Sequence, residues 1–386
     1  MGRGVPALVW LAGSVTSIDE VAVDDGHRVR LTADEALVNL RIVLDLCVAG
    51  KLRCSEKTGR PSAAASKVLA SQLVHGDFYP DEPIASFAWP LILQAGGLAK
   101  IENGKLLLTA KGRSALRQQP HQVIRGLWQR WLSHAPLDEF RRIEVIKGQQ
   151  AANVLTAARP RRESVSRTLL CCPADEWISV DALFSLMRGR GLSPTIARGG
   201  LAVWKLYLVD AQYGSLGYDG AYRWTMVEGR YTLAVLFEYA ATLGLIDVEY
   251  DPPAYARDDF GEHWGADGLD KLSRYDGLRA VRLNQLGCYV LGLADESQLS
   301  DTLTAAPGEE AEPAAQLVDL GCARVIKCAD PDVITAIAKD RALRGVVRQL
   351  GDHHLAVPVE SERKFETALR RLGYVTPAAV KGALGP

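Results

Sequence analysis

The side chains in this chain with the means to contact a ligand are cations and aromatics, not nucleophiles. Three basic clusters stand out. Lys51, Arg53, Lys57 and Arg60 surround a Gly59-Arg60-Pro61 turn. Lys105, Lys111 and Arg113 lie on and just after an Asn103-Gly104 turn. Arg141, Arg142, Lys147, Arg159, Arg161 and Arg162 occupy a stretch further on. Such clusters suit phosphate contacts, whose strength comes from counterion release and which carry no base information. All three lie within residues 1–167, where 23 Lys/Arg stand against 16 Asp/Glu; residues 168–386 hold 22 against 30. The formal charge of −1 therefore hides a basic front and an acidic back. That asymmetry fits a nucleic-acid partner at one end and a protein partner at the other.

A second constellation is aromatic. Trp204, Tyr207, Tyr213, Tyr218, Tyr222 and Trp224 are interleaved with Gly214, Gly217 and Gly220, and Trp264 follows in an acidic insertion, residues 251–276. Aromatics among glycines can stack unpaired bases, form an interface hot spot, or pack an insertion onto its own domain. The acids around Trp264 favour a protein contact over phosphate, so these seven are assigned to a protein partner.

Signatures of catalysis and metal binding are absent from the sequence. Gly104-Lys105 is the nearest approach to a phosphate loop, but Ala99 stands where the first Gly belongs and Leu106 where Ser/Thr belongs. The seven cysteines form no CxxC pair, His353 and His354 are the one adjacent histidine pair, and there is no HExxH or GxSxG. The expectation is no catalytic residue, no metal, no cofactor and no small-molecule substrate. Reduced, mostly buried cysteines imply a cytoplasmic protein. With no apolar run of ~18 residues, no membrane contact is expected. The short apolar run within residues 5–12 reads as a first strand.

These residues need a scaffold, and the periodicity supplies one. Thr32 with Glu35 forms a capping box ahead of a helix carrying Leu37, Leu40, Leu44, Cys47 and Val48, closed by Gly50. A short strand (51–55), a helix (62–75), an apolar helix (84–95) and a hairpin turning at Asn103-Gly104 follow. The order repeats with helices at 162–170, 180–188 and 231–243 and strands at 177–179, 245–250 and 280–283. Gly97-Leu98 leading to Thr109-Ala110-Lys111-Gly112 is matched by Gly244-Leu245 leading to Asn284-Gln285-Leu286-Gly287. Helix, strand, helix, helix, hairpin is the order of a winged helix, here in two copies. Base edges are reached by exposed Arg, Lys, Asn or Gln; the first of the third helices offers only Gln94 and the second only Glu238, so reading of bases in a major groove is not expected.

Beyond a linker (294–314) with six acids and no bases, a β-α-α-β-α pattern begins at Ala323. Its expected core is Val325, Val333, Ile337, Val346, Leu350, Val357, Phe365, Leu369 and Leu372, with a second helix over Arg341–Leu350.

The stretch Ile84–Leu293 resembles an uncharacterised bacterial family of tandem winged-helix proteins. Phe87-Ala88-Trp89-Pro90-Leu91, Leu108–Arg113, Tyr213–Tyr218 and Arg274–Leu278 carry the resemblance. Ala323–Tyr374 is similar to the helicase-associated domain of XPB-type helicases, through Ile326–Pro331, Leu355–Pro358 and Ala368–Tyr374. No motor motifs accompany it, so the resemblance implies an accessory protein beside DNA or a DNA-translocating partner.

The expected fold is α+β: two winged-helix domains in tandem, the second with long insertions, plus a small C-terminal α/β module. The divisions are an N-terminal extension (1–30), the first domain (31–120), a basic helical connector (121–162), the second domain (163–293), the acidic linker and the module (315–386). The expected function is non-enzymatic: sequence-independent DNA backbone binding with docking of a helicase or nuclease, in DNA repair or phage defence. The alternatives are a structural tandem winged-helix subunit of a chromosome-organising (SMC-type) or defence complex without DNA contact, and a transcription regulator.

Overall fold

Helices and small antiparallel sheets alternate through two stretches, a first unit over 33–115 and a second over 158–291. The computed structural model describes residues 27–218, 220 and 223–304, and within 323–374 all but 329, 341, 344, 345, 352, 359, 360 and 373. The strand expected within residues 5–12 lies outside them. After strand β1 (Arg28–Arg30), helix α1 (Ala33–Val48) buries Leu37, Leu40, Leu44 and Cys47, leaves Val48 exposed, and ends before Gly50 at φ +60°. Ser62 caps α2 (Ala63–Ala70) by accepting from the Ala65 amide. Asp77 caps α3 (Ala85–Ala95) from outside, accepting from the amides of Ile84, Ala85 and Ser86. The hairpin β2 (Ala99–Glu102) and β3 (Lys105–Leu108) turns at Asn103 and Gly104, both at positive φ, and runs into α4 (Ala110–Ala115).

Next come α5 (Pro120–Ser133), a 3-10 turn (Glu139–Arg142) and the two-residue strand β4 (Ile146–Lys147). The second unit holds α6 (Ala158–Leu169), β5 (Trp177–Ser179), α7 (Val180–Gly189), the short α8 (Gly200–Val203) and β6 (Tyr207–Leu208). Its long helix has an α-helical centre, α9 (Arg230–Ala234), between π-helical turns at Thr225–Gly229 and Val235–Ala240. The strands β7 (Ile246–Tyr250) and β8 (Leu278–Leu283) and helix α10 (Gln285–Leu291) complete it.

Particular local geometries recur in the two stretches. Gly97 and Gly244 leave their helices at φ +70° and +75°. Thr109 Oγ1 accepts from the Gly112 amide at 3.1 Å, and Asn284 Oδ1 accepts from the Gly287 amide at 2.9 Å. A Cβ on Gly112 would sit 2.0 Å from the Leu98 carbonyl oxygen, and one on Gly287 2.0 Å from that of Leu245. Only glycine permits either approach. In both units the extended segment after the first helix pairs with the second hairpin strand: Arg53 bridges to Lys105, and β5 pairs with β8.

The units share one hydrophobic core, running from Ala36 to Leu303, in which α3 packs against α5 and against the π-helical turn Val235–Ala240. Residues 28–30 are more than an extension. β1 adds to the edge of the second unit's sheet, whose order is β1-β7-β8-β5. The Thr32–Glu35 capping box does not form: Thr32 Oγ1 donates to the Ile246 carbonyl, its amide to Asp247, and Glu35 pairs with Arg30. Tertiary partners outcompete the local cap.

Two further expectations need correction. Residues 294–304 do not form an exposed linker: Leu299 and Leu303 are buried, and α11 (Asp301–Thr304) packs on α1 and α5, its Leu303 carbonyl 3.0 Å from His121 Nδ1. Positions 305–314 lie outside the described residues. The chain divides into units at Ala311/Glu312. In the second, the antiparallel order β10-β11-β9 joins β9 (Ala323–Lys327), β10 (Arg348–Leu350) and β11 (His354–Pro358), with α12 (Pro331–Lys339) and α13 (Glu362–Arg371) supplying the core. The helix expected over Arg341–Leu350 is replaced at its end by β10, into which the β-branched Val346-Val347 lead. Val325, Leu350 and Leu372 are exposed, and Ile334, Leu343 and Leu355 join Ile337, Val357, Phe365 and Leu369 in the core. Val333 and Val346 pack at its margin.

Candidate functional site

Burial sorts the thirteen predicted DNA-contacting residues into two sets. Arg142, Arg161 and Arg162 are internal. Arg142 pairs with Glu238 at 2.9 Å, donates to the Pro83 carbonyl, and lies 3.6 Å above the Phe87 ring centroid. Arg161 makes two hydrogen bonds to Asp138, and Arg162 pairs with Glu139 at 2.8 Å while donating to the carbonyls of Trp131 and Leu137. Each buried guanidinium has a carboxylate because an unpaired one would cost several kcal/mol. These three cannot reach phosphate, and their assignment to DNA is corrected here. The carboxylates that claim them, Asp138, Glu139 and Glu238, gave no positional signal in the sequence beyond the Asp138-Glu139-Phe140-Arg141-Arg142 adjacency.

Three more cations are exposed but engaged. Arg159 pairs with Glu163 one turn on. Lys111 Nζ donates to the Gly96 carbonyl at the end of α3, and Arg113 donates to the Leu108 carbonyl. Both knit their own hairpin together.

The remaining seven make no ion pair among the described residues. Lys51, Arg53, Lys57 and Lys105 are exposed, and the Arg53–Lys105 bridge sets the turn beside the hairpin; the Cys54 amide donates to the Gly104 carbonyl at 3.0 Å. Arg60 closes the same turn, its carbonyl accepting from the Ser55 amide at 2.8 Å. Gln94 Nε2 in turn holds the Gly59 carbonyl at 2.9 Å. The side chain that α3 offered for base edges is thus spent internally, as is Glu238 in the long helix.

Arg60 also lines a cleft of about 490 Å³ with Arg141, Lys147, Glu144, Gly148, Gln149, Gln150 and Tyr207. The structure therefore brings together one residue of the first cluster, two of the third and one aromatic that the sequence had assigned elsewhere. The cleft is rigid at its edge. β4 pairs with β6 so that Lys147 stands opposite Tyr207, and a Cβ on Gly148 would lie 1.7 Å from the Lys205 carbonyl oxygen. Gln149 Nε2 donates to the carbonyls of Ile143 and Ile146, at 2.8 and 2.7 Å.

The other aromatics form a separate patch. Trp204 meets Tyr218 edge-on at 4.6 Å, and Tyr213 meets Trp264 at 5.3 Å; all four are exposed. Gly217 is needed there, since any Cβ would lie 2.3 Å from the Trp204 ring. Trp224 instead packs on Phe184, its Nε1 donating to Ser193 Oγ, and so belongs to the interior edge. Tyr222 lies outside the described residues.

Burial pushes the Cys47 thiol up to about 12 and those of Cys54 and Cys172 to about 11, so these are poor nucleophiles at neutral pH. Among the described residues no cluster of metal-ligating side chains occurs, and no helix is long and apolar enough to cross a membrane. Comparison with protein-family models, with curated proteins and with solved structures found no match to this chain.

Proposed function

We propose that this chain is a nucleic-acid-associated accessory protein that grips the DNA backbone without reading its sequence. The observation that carries the reading is the run of cations without carboxylate partners, Lys51, Arg53, Lys57 and Lys105 on the hairpin side continuing through Arg60 to Arg141 and Lys147. Interior arginines in the same half are each neutralised; these are left to solvent, where phosphates would release counterions on binding. The matching αL glycines, N-caps and strand order of the two units support a tandem winged-helix arrangement. The third helices are buried, with Gln94 and Glu238 engaged internally, which favours backbone contact over base reading. The patch of Trp204, Tyr213, Tyr218 and Trp264 suits a protein partner, a helicase or nuclease in this reading.

The test is binding of duplexes of unrelated sequence as salt is raised. Affinity should be indifferent to sequence and fall with a log–log slope of about −0.9 for each phosphate neutralised. Lys51→Ala, Arg53→Ala and Lys105→Ala combined should lower that slope by roughly two to three units. No binding at low salt would favour a structural subunit that touches protein alone.

A further inference from the structure

The cleft contains one feature that backbone binding to a duplex does not call for. Tyr207 stands opposite Lys147 across the β4–β6 pair. Directly opposed residues in an antiparallel pair project to the same face, so ring and ammonium share one wall. The Tyr207 hydroxyl has no hydrogen-bond partner among the described residues, and the ring is only half buried. Across the cleft, Arg60 is half-buried with its Nε carrying no partner, and the Arg141 guanidinium has none either. Lys147 Nζ touches only the Glu144 carbonyl. The one carboxylate on the lining, Glu144, is 3.7 Å from Arg274.

We infer that this cleft takes an unpaired nucleotide of single-stranded DNA, the base against Tyr207 and its flanking phosphates between Arg60, Arg141 and Lys147. The inference rests on the reading above and names the form of nucleic acid it serves. A paired base must be unpaired and unstacked, at a cost, before it can meet a ring, whereas an unpaired one presents a free π-face to any aromatic. An aromatic wall facing several cations is the combination that sequence-tolerant single-strand sites use: stacking for the base, charge for the backbone. The volume suits one nucleotide and excludes a duplex. Exposed lysines on the hairpin would hold the duplex arm of a junction whose free strand ends here.

The experiment compares a short oligothymidylate with a blunt duplex of equal length, using the full-length protein and Tyr207→Ala, Tyr207→Phe and Arg141→Ala variants. Tyr207→Ala should weaken oligothymidylate binding roughly tenfold and change duplex binding less than twofold, with Tyr207→Phe close to wild type. Arg141→Ala should weaken single-strand binding and reduce its salt slope. Because Tyr207→Ala could disturb the β4–β6 pair, a second measurement uses the unaltered protein. A 5-iodouracil-substituted strand, irradiated in the complex, should crosslink to Tyr207 by peptide mapping. Equal effects of Tyr207→Ala on both probes, or crosslinks confined to other residues, would overturn the inference while leaving backbone binding intact. Failure of the oligothymidylate alone to bind would likewise overturn the inference, and failure of both probes at low salt would instead remove the parent reading.

Discussion

Arg142 and Glu238 form an ion pair inside the protein, 2.9 Å apart, with side chains 5% and 0% exposed. Arg142 comes from the segment between the two units, Glu238 from the long helix of the second, and the Phe87 ring beneath the guanidinium from α3 of the first. The Tyr275 hydroxyl donates to the same carboxylate. One arginine thus pins together the two helices that a groove-reading protein would have left exposed.

Arg142→Ala should destabilise the protein by roughly 3–5 kcal/mol, because it strands Glu238 in the interior. Combining Arg142→Met with Glu238→Gln should recover more than half of that loss, since Gln keeps the acceptor for Tyr275 without the charge. Urea unfolding measures both. DNA affinity of the folded double variant should equal wild type; a drop would mean Arg142 contacts the ligand after all.

The glycine pair offers a test of the repeat. Gly112→Ala and Gly287→Ala each place a methyl 2.0 Å from a backbone oxygen and should cost similar amounts, about 1–3 kcal/mol or more. Gly126→Ala is the opposite case. It sits inside α5 with nothing within 4 Å of the added methyl and should stabilise by about 0.5–1 kcal/mol. Thermal melts that ranked the three differently would break the equivalence of the units.

Glu228 predicts a pH effect. Burial pushes its carboxyl up to about 7, Arg223 offsetting only part, and its Oε2 has no hydrogen-bond partner among the described residues. The folded state therefore holds a proton that the unfolded chain releases near pH 4.5. Between about pH 4.5 and 7 the unfolded state binds fewer protons, so this group's contribution to stability falls as pH rises and levels off above 7. Glu228→Gln should abolish that decline and stabilise the protein by roughly 3 kcal/mol at pH 8. Parallel pH profiles for variant and wild type would refute this.

In the C-terminal unit, Phe365 is 1% exposed and Val325 59%. Residues 312–386 should express as a soluble fragment with a cooperative melt. Phe365→Ala should remove that melt at a cost of about 3–5 kcal/mol, whereas Val325→Ala should change stability by less than about 0.5 kcal/mol. A fragment without a melt would place this unit's stability in contacts with the rest of the chain.

What the sequence determined by itself is whatever a few consecutive residues decide. Asn103-Gly104 has one comfortable conformation between two apolar runs, and the hairpin is there. Ser62, Thr109, Ser179 and Asn284 cap the helices that follow them, and Gly97 and Gly244, each before a Leu, both adopt positive φ. Where a residue's partner is distant in sequence, local pattern misled. Thr32 had every mark of a capping box, yet its hydroxyl serves a carbonyl 214 positions away. Arg141 and Arg142 are adjacent and chemically identical, but one lines an open cleft and the other is buried against Glu238, 96 positions on. A run of arginines records how much charge a segment carries. Only the tertiary structure decides which of those charges meet a carboxylate and which are left for a ligand, because burial makes pairing obligatory and exposure does not.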